Sequence, residues 1–264
     1  CKLIVHDIAG TADRASDGCI IAQSNDEIAR RAKVIGLSLP TIEINRQVIL
    51  EIAKAGAAGT VVVDTCTIGI GAAKRNAQIL SEVGIQYLDS PVSGLKFRAE
   101  EGALVSMVSG AASELKKARK LLEGYSRAVV HVGTEPGQGQ RMKVLNNAIC
   151  IASYVISSEA LTYGEAGGLK VGEMLEVINE SSGQNFATKF LFPKYVATEQ
   201  YDASGAEAHI IEKDISLFVE GADGDGTPSK VIAAAYEIIN AFNEADPLQD
   251  QMNIYPYVKG LHKD

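Results

Sequence analysis

The chain has 264 residues, of which 46% are hydrophobic and 22% are charged, and its formal net charge is −8 at pH 7. This composition predicts a folded globular protein of one large or two modest domains. The acidic charge argues against a nucleic-acid partner, because phosphate backbones attract basic surfaces.

Short apolar runs alternate with amphipathic segments through the first half of the chain. The runs are rich in Val and Ile, and each predicts a strand: Lys2–Asp7, Ala32–Pro40, Thr60–Thr65, Ile85–Pro91, Ala103–Gly110 and Arg127–Gly133. Apolar residues at helical spacing predict helices between them, at Ser24–Arg31, Ile42–Ala55, Ile70–Val83 and Ser113–Leu122. This alternation is typical of a mainly parallel sheet covered by helices.

Strand patterns stop after Gly137, and the second half predicts helices. The first of them, Gln138–Ala166, is long and apolar enough to be buried by a partner domain or subunit. Further helices are expected at Val171–Ser181, Ala206–Gly221, Pro228–Asn243 and Leu248–Leu261, the last interrupted by Pro256, and an irregular stretch at Asn185–Tyr201. The sequence therefore predicts an α/β domain over residues 1–136 and an all-helical domain over residues 137–264.

The cysteines and the apolar runs indicate the cellular compartment in which the protein is expected. The four cysteines are scattered, with no C-x-x-C pair, which predicts neither a metal site nor a disulfide scaffold: Cys1, Cys19, Cys66 and Cys150. Reduced thiols favour the cytoplasm, with an organelle matrix as the alternative. No uninterrupted apolar run approaches ~18 residues and no signal-peptide pattern is present, so no membrane partner is expected.

The segment DSPVSG, Asp89–Gly94, follows a predicted strand and begins a turn. Small residues leave backbone N–H groups able to face a ligand, and the hydroxyl of Ser93 adds a further donor. This arrangement suits a carboxylate, although an ordinary strand-to-loop turn has the same pattern.

The segment GQGQRMKVLNN, Gly137–Asn147, begins the long helix. Lys143 and Asn147 lie four residues apart and share one helix face, while Gly137 and Gly139 would let a ligand approach the backbone closely. Asn146 and Asn147 are poor helix formers, so their presence in an otherwise apolar helix indicates a role other than helix formation. The alternative is a solvated lysine and asparagine on a helix edge.

Two weaker patterns lie elsewhere. Lys213 and Asp214 begin an apolar helical stretch, EKDISLFVEGA, where an ordinary charged first turn would have the same pattern. LSLPT, Leu37–Thr41, and DTCT, Asp64–Thr67, end predicted parallel strands. Ligands of such sheets bind beyond the carboxyl ends of the strands.

In this order and spacing, the four patterns resemble those of the β-hydroxyacid dehydrogenases, the family of 3-hydroxyisobutyrate dehydrogenase. The resemblance covers essentially the whole chain, and its most specific parts are D-x-P-V-S-G and G-x-G-x-x-x-K-x-x-N-N. It implies a Rossmann-type parallel sheet followed by an all-α domain for substrate binding and oligomerisation. It also implies hydride transfer between a nicotinamide cofactor and a small β-hydroxy acid.

The resemblance assigns roles to particular residues. Lys143 is implied as the catalytic acid/base, a role that a lysine fills at neutral pH only when burial or a nearby cation lowers its pKa from about 10.4 towards 7–8. The positions implied to contact substrate are Ser93, Gly94 and Asn147. The positions implied to contact cofactor are Leu39, Pro40, Thr67 and Lys213, the last lying over the cofactor.

Asp7 ends the first predicted strand, where an acid accepts hydrogen bonds from the ribose hydroxyls of NAD. The next arginine is Arg14, so the sequence shows no obvious partner for the extra phosphate of NADP. NAD is therefore the expected cofactor and NADP the alternative. No metal is expected.

The chain departs from the family pattern in three ways. It lacks the opening strand and G-x-G-x-x-G loop, so the first β-α unit is expected to be absent from the sheet. Leu95 stands where a second glycine usually follows Ser-Gly, and Cys66 stands where a serine usually precedes Thr67. These two replacements bear on substrate identity more than on the chemistry.

Two alternatives to an active dehydrogenase remain open. The chain could be a family member that binds without turnover, or a truncated product whose helical half acts as a dimerisation module. An imine reductase shares the architecture but places a different donor at the lysine position, so Lys143 argues against it. The apolar residues of Gln138–Ala166 predict a homodimer or homotetramer through the helical half.

Overall fold

The computed structural model describes residues 2–12 and 14–261. The chain divides into two compact units, Cys1–Lys143 and Val144–Asp264. The strands belong to the first unit, and the described residues of the second contain helices and no strand, which confirms the predicted order of an α/β half followed by an all-helical half. The division falls inside the long helix, because its first residues hydrogen-bond to the end of a strand in the first unit.

The sheet of the first unit is mainly parallel, as predicted. Two strands stand apart from it, β1 (Ile4–Val5) and β2 (Ile20–Ile21). The strands of the sheet itself are β3 (Val34–Leu37), β4 (Val61–Asp64), β5 (Gln86–Asp89), β6 (Val92–Ser93), β7 (Leu104–Ser109) and β8 (Ser126–Gly133). Six strands pair in the order β3-β4-β5-β7-β6, with β8 beside β7. The pairs β3–β4, β4–β5 and β7–β8 are parallel, whereas β5 and β6 run antiparallel to β7. All of β4 is buried, as expected of a Val-rich strand covered on both faces.

β1 and β2 form a separate two-stranded parallel sheet. The sequence does not predict β2, because two residues carry no periodicity. Residues 2–6 and 34–39 line a cavity of about 560 Å³, and β3 is the last strand at its end of the larger sheet.

Four helices of the first unit lie close to their predicted positions: α1 (Asn25–Arg31), α2 (Ile42–Ala55), α3 (Ile70–Ser81) and α5 (Ala112–Leu122). A further helix, α4 (Leu95–Glu100), lies between α3 and α5. Side-chain caps explain two starts, since Ser24 Oγ accepts from the Glu27 N–H and Thr41 Oγ1 accepts from the Ile44 N–H, each at 3.2 Å. The sequence does not predict α4, which begins directly after Gly94; the side chain of Leu95 lies outside the described part of the chain.

The second unit is built on the long helix α6 (Gln138–Ala166), which starts in the first unit. The elements that follow are α7 (Val171–Asn179), a π-helical turn (Ala187–Leu191), α8 (Phe192–Tyr195), α9 (Ala208–Asp225), α10 (Lys230–Ala245), a 3₁₀ turn (Gln251–Asn253) and α11 (Ile254–Gly260). Fully buried side chains from these helices form the core, among them Leu161, Phe192, Ile215, Ile239 and Phe242.

Several predictions in this unit differ from the structure in detail. The stretch predicted to be irregular contains the π-helical turn and α8. α10 begins at Lys230 and not at Pro228. Pro256 lies within α11, but near its start, where a backbone N–H has no partner in the helix to lose.

α6 has the length and composition of a membrane-spanning helix, with a mean hydropathy of 1.3 over its most apolar window. Of that window, 56% is buried inside the structure. Burial of this kind is also found in the core helix of a globular protein, so the helix is weak support for a membrane span.

Candidate active site

The loops after β3 and β4 are joined by hydrogen bonds. Thr65 donates to the Leu37 carbonyl oxygen through both its N–H, at 3.0 Å, and its Oγ1, at 2.6 Å. The Leu39 N–H donates to Cys66 Sγ at 3.1 Å. Leu39 is half-buried, as is Thr67, and the neighbouring Pro40 is exposed. Leu39, Pro40 and Thr67, three of the predicted cofactor contacts, thus follow two adjacent strands on one edge of the sheet.

Cys66, which replaces the usual serine, is a structural thiol. Its side chain is 7% exposed, and burial raises its pKa to about 12. A thiol with so high a pKa stays protonated near neutral pH and is a poor nucleophile. We therefore assign Cys66 to the packing of the two loops.

The predicted carboxylate-binding turn has a backbone that requires glycine. Ser93 ends β6 and pairs with Val105 of β7. Gly94 has φ of +152°, and a Cβ atom there would lie 2.8 Å from Leu104 Cδ2 and 3.0 Å from Arg98 Cβ. Any side chain would therefore clash, which places the Gly94 backbone tightly against the first residues of α4.

Two carboxyl groups lie side by side beneath these loops. Asp64 and Asp89 are register partners at the ends of β4 and β5, and both are fully buried. Asp64 Oδ2 accepts from Asn45 Nδ2 and from the Tyr87 hydroxyl, each at 2.9 Å, and its Oδ1 accepts from the Cys66 N–H at 3.1 Å. Such buried carboxylates persist because donors compensate for lost water.

Asp89 accepts hydrogen bonds at the start of α6. Its Oδ2 accepts from the Gln140 N–H at 2.8 Å and from Ser109 Oγ at 3.2 Å, and its Oδ1 accepts from Gln140 Nε2 at 2.7 Å. Burial, together with the neighbouring Asp64, raises the pKa of Asp89 to about 6, although the hydrogen bonds from Gln140 oppose the shift. The helix N-terminus favours the ionised form.

Lys143 lies one turn after Gln140 on α6 and is 9% exposed. The two glycines that precede it lie tightly against other residues of the first unit. A Cβ at Gly137 would lie 3.0 Å from Ile70 Cγ2, and a Cβ at Gly139 would lie 2.6 Å from the Met107 carbonyl oxygen. These glycines therefore let the helix approach the rest of its own unit closely.

The second unit brings two of the sequence patterns together. Asn147 Nδ2 donates to Asp214 Oδ2 at 2.7 Å, and Lys213 Nζ lies 3.0 Å from Asp214 Oδ1. The Asp214 side chain is 12% exposed and that of Lys213 is 46% exposed. Asp214, to which the sequence assigned no role, thus links a predicted substrate contact to a predicted cofactor contact.

Asp7 follows β1 and is paired with Arg14, whose Nη1 lies 2.8 Å from Asp7 Oδ2. A hydrogen bond from the Ala9 N–H and the nearby guanidinium hold the pKa of Asp7 below its usual value. The carboxylate is 37% exposed and the guanidinium 61%. An exposed acceptor beside a cation at a strand end suits the ribose of a dinucleotide, with or without a phosphate on it.

Sequence patterns did not single out Asp89, Gln140 or Ser109 as functional candidates. Asp89 and Gln140 lie within the two most specific motifs, and that membership was the available signal for both residues. Ser109 is the last residue of β7 and gives no comparable signal. Residues 2–12 and 14–261 contain no cluster of three or more His, Cys, Asp or Glu side chains that could hold a metal ion.

Two family profiles together match nearly all of the chain. Residues 2–133 match the NAD binding domain of 6-phosphogluconate dehydrogenase. Residues 137–258 match the domain described as NAD-binding of NADP-dependent 3-hydroxyisobutyrate dehydrogenase.

Individual relatives agree with these matches. The chain is 30% identical to 2-(hydroxymethyl)glutarate dehydrogenase of Eubacterium barkeri, over 87% of this chain and 77% of that protein. It is 30% identical to a probable mitochondrial 3-hydroxyisobutyrate dehydrogenase of Dictyostelium discoideum, over 100% of this chain and 85% of that protein. The structure of Mycobacterium tuberculosis 3-hydroxyisobutyrate dehydrogenase with L-serine is 26% identical, with a TM-score of 0.85 over 95% of this chain and 88% of that one. The chain belongs to the β-hydroxyacid dehydrogenase family, the NAD(P)-dependent dehydrogenases of 3-hydroxyisobutyrate and related hydroxy acids.

Proposed function

We propose that this NAD(P)-dependent hydroxyacid dehydrogenase acts on a small β-hydroxy acid with Lys143 as its general acid/base. The observation that carries the proposal is the position of Lys143. It is 9% exposed, and it lies one turn from a residue that hydrogen-bonds to the carboxyl end of β5. Ligands of open parallel sheets bind at that edge.

The chemistry divides between the cofactor and the chain. A bound nicotinamide dinucleotide supplies the hydride acceptor for oxidation or the hydride donor for reduction. Lys143 Nζ accepts the hydroxyl proton when the alcohol is oxidised and returns it to the carbonyl oxygen in the reverse direction. Its burial keeps bulk water from competing for that proton.

The substrate contacts follow from the two motifs. Ser93 Oγ and the Gly94 N–H bind the carboxylate, while Asn147 binds the hydroxyl group. The acids named for the relatives are 2-(hydroxymethyl)glutarate, 3-hydroxyisobutyrate and L-serine. Each carries a hydroxymethyl group on the carbon that bears the carboxylate, so a 3-hydroxyisobutyrate-like acid is the proposed substrate.

The proposed cofactor contacts are Leu39, Pro40, Thr67, Lys213 and, at the ribose, Asp7. NAD is the proposed cofactor because Asp7 is a hydrogen-bond acceptor at the end of β1. Arg14, 2.8 Å from Asp7, supports NADP as the second cofactor, because a guanidinium can bind the extra phosphate.

We also propose that the domains are residues 1–136, for the dinucleotide, and residues 137–264, for substrate and self-association. Exposed apolar residues at seven-residue intervals on α6 support a homodimer or homotetramer: Ile149, Ile156 and Tyr163. Within the described residues, Cys19, Cys66 and Cys150 take part in no disulfide. These thiols, and a relative named as mitochondrial, support a cytoplasmic or organelle-matrix protein.

A panel of small β-hydroxy acids, assayed with NAD and with NADP, tests the function. Turnover of an acid with a hydroxymethyl group next to its carboxylate supports the proposal. Cofactor binding without turnover of any acid would favour the alternative of a binding or dimerisation module.

A further inference from the structure

Gln140 joins three elements of the first unit. Its Oε1 accepts from the Ile68 N–H at 2.9 Å and from the Gly69 N–H at 3.0 Å. Its Nε2 donates to the Cys66 carbonyl oxygen at 2.9 Å and to Asp89 Oδ1 at 2.7 Å. The side chain thereby connects the loop after β4 and the end of β5 to α6, the helix that carries it.

The hydrogen-bonding capacity of this side chain is fully used. A glutamine side chain offers two acceptor sites and two donor hydrogens, and all four are paired here while the residue is completely buried. Because unpaired buried polar groups are costly, few other positions of the side chain are accessible. The start of α6 is correspondingly fixed against the two strand ends.

Ser109 and Asp89 reinforce the same junction through the backbone. Asp89 Oδ2 accepts from the Gln140 N–H at 2.8 Å, and Ser109 Oγ accepts from the Gly139 N–H at 3.0 Å. Both N–H groups belong to the first turn of α6, where helical N–H groups lack partners within the helix. The helix start is thus held by side chains on two strands.

We propose that Gln140 is a positioning residue, which sets the place of Lys143 relative to the loop that carries Thr67 and the turn that carries Ser93. The inference rests on the proposed function, since it matters only if Lys143 moves the proton. A displacement of about 1 Å of a catalytic group can lower turnover by about 100-fold. Loss of the Gln140 hydrogen bonds permits such a displacement of the first turn.

The test compares Gln140→Met with Gln251→Met in the full chain. Gln251 is a buried glutamine of the second unit, 2% exposed, whose Nε2 donates to Ser204 Oγ at 3.3 Å. Methionine keeps the length of the side chain and removes the hydrogen bonds. We expect Gln140→Met to lower kcat by about 10- to 100-fold with little change in KM for the cofactor, and Gln251→Met to lower only the Tm.

A double-mutant cycle with Lys143→Ala separates positioning from general stability. If Gln140 acts through Lys143, Gln140→Met lowers the residual activity of the Lys143→Ala enzyme by less than about twofold. An equal loss in both backgrounds, or no loss in either, would overturn the inference. A Lys143→Ala enzyme as active as the parent would instead refute the proposed function itself.

Hydrogen exchange gives a readout that does not depend on activity. We expect faster amide exchange across residues 137–147 in Gln140→Met and unchanged exchange there in Gln251→Met. If Gln140→Met does not fold, Ser109→Ala takes its place in the same cycle, because it removes only the bonds to Asp89 and Gly139. Unchanged exchange in a folded Gln140→Met or Ser109→Ala protein contradicts the inference.

Discussion

Asn147 and Asp214 are 67 residues apart in sequence and are joined by a hydrogen bond of 2.7 Å between Nδ2 and Oδ2. Asp214 is also within 3.0 Å of Lys213 Nζ. The carboxylate therefore orients the amide of Asn147, the side chain proposed to bind the substrate hydroxyl. Asp214 has this effect without being assigned a contact to substrate.

Removing that carboxylate is expected to weaken substrate binding. Asp214→Ala leaves the Asn147 amide without its acceptor, and a lost buried hydrogen bond costs about 1–3 kcal/mol, so we expect KM for the hydroxy acid to rise about tenfold. Steady-state kinetics with saturating cofactor measures this. The matched control is Asp202→Ala, because Asp202 Oδ1 accepts from Asn253 Nδ2 at the same 2.7 Å on an exposed surface. Equal effects of the two substitutions would contradict the assignment.

Replacement of Lys143 tests the proton-transfer role directly. We expect Lys143→Ala to lower kcat by ~10²–10⁴-fold while cofactor affinity stays nearly unchanged, because a general acid/base contributes to the transition state. Cofactor affinity is measured by fluorescence titration and kcat by initial rates. Lys170→Ala is the control, since Lys170 is 81% exposed and pairs only weakly with Glu173 at 3.3 Å. Activity within a few-fold of the parent would remove Lys143 from the mechanism.

Long elements of the fold were predictable because their signals are local. Ile42–Ala55 matches its prediction because Thr41 caps it, and Gln138–Ala166 matches because its apolar pattern is continuous. The elements that the sequence misses are short, and they include β2, β6 and α4 in the first unit. Two of these are strands of two residues, which exist because a neighbouring strand pairs with them, and such pairing leaves no periodic trace.

The site was predictable in its motifs but not in its connections. Lys143 and Ser93 stand out because each lies in a compact pattern. The link between Asp89 and Gln140 spans 51 residues and depends on the register that brings the end of β5 to the start of α6. The contact between Arg14 and Asp7 was not predictable for the same reason, because it depends on how the chain turns after β1.

The Asp7–Arg14 pair predicts cofactor preference. Asp7→Ala removes a ribose acceptor and a negative charge, so we expect the kcat/KM ratio of NAD to NADP to fall about tenfold or more. Arg14→Ala should raise the same ratio, because the partner for the phosphate is lost. The control is Asp26→Ala, an exposed acid on α1 whose carboxylate lies 3.8 Å from Arg30. Equal effects of Asp7→Ala on both cofactors would exclude Asp7 as the ribose contact.

Asp89 predicts a pH dependence of stability. Its pKa is raised from 3.8 to about 6, so between those values the folded state keeps a proton that the unfolded chain releases. The stability from this group is therefore complete below about pH 4 and is lost as the pH rises through 6, by roughly 3 kcal/mol. The titratable groups that face it are Asp64 and Tyr87.

Urea unfolding of the parent and of Asp89→Asn, from pH 4 to pH 7, measures this effect. We expect the parent to lose stability relative to Asp89→Asn as the pH rises, because only the parent has the carboxyl group that must ionise while buried. Ser109→Ala keeps that carboxyl group and should keep the dependence. A constant difference between parent and Asp89→Asn would mean that Asp89 has an ordinary pKa.

The exposed face of α6 predicts self-association. Of the apolar residues on this helix, Ile151 and Val155 are buried in the core of the second unit, whereas Ile149, Ile156 and Tyr163 are 62%, 52% and 84% exposed. Residues seven apart lie on one side of a helix, so the three form a stripe. An apolar stripe on a helix is typically covered by another chain, and a second copy of the same stripe is the simplest partner.

Substitution of the central residue tests the stripe. Ile156→Asp would bury an unpaired carboxylate in the contact, so we expect it to convert the parent oligomer to monomers at micromolar concentration in light scattering. Val231→Asp is the control, because Val231 is 70% exposed at the start of α10 and lies outside the stripe. Circular dichroism should show the helices of both variants intact, since neither residue belongs to the core. A monomeric parent, or dissociation by Val231→Asp as well as by Ile156→Asp, would show that the stripe is not the contact between subunits.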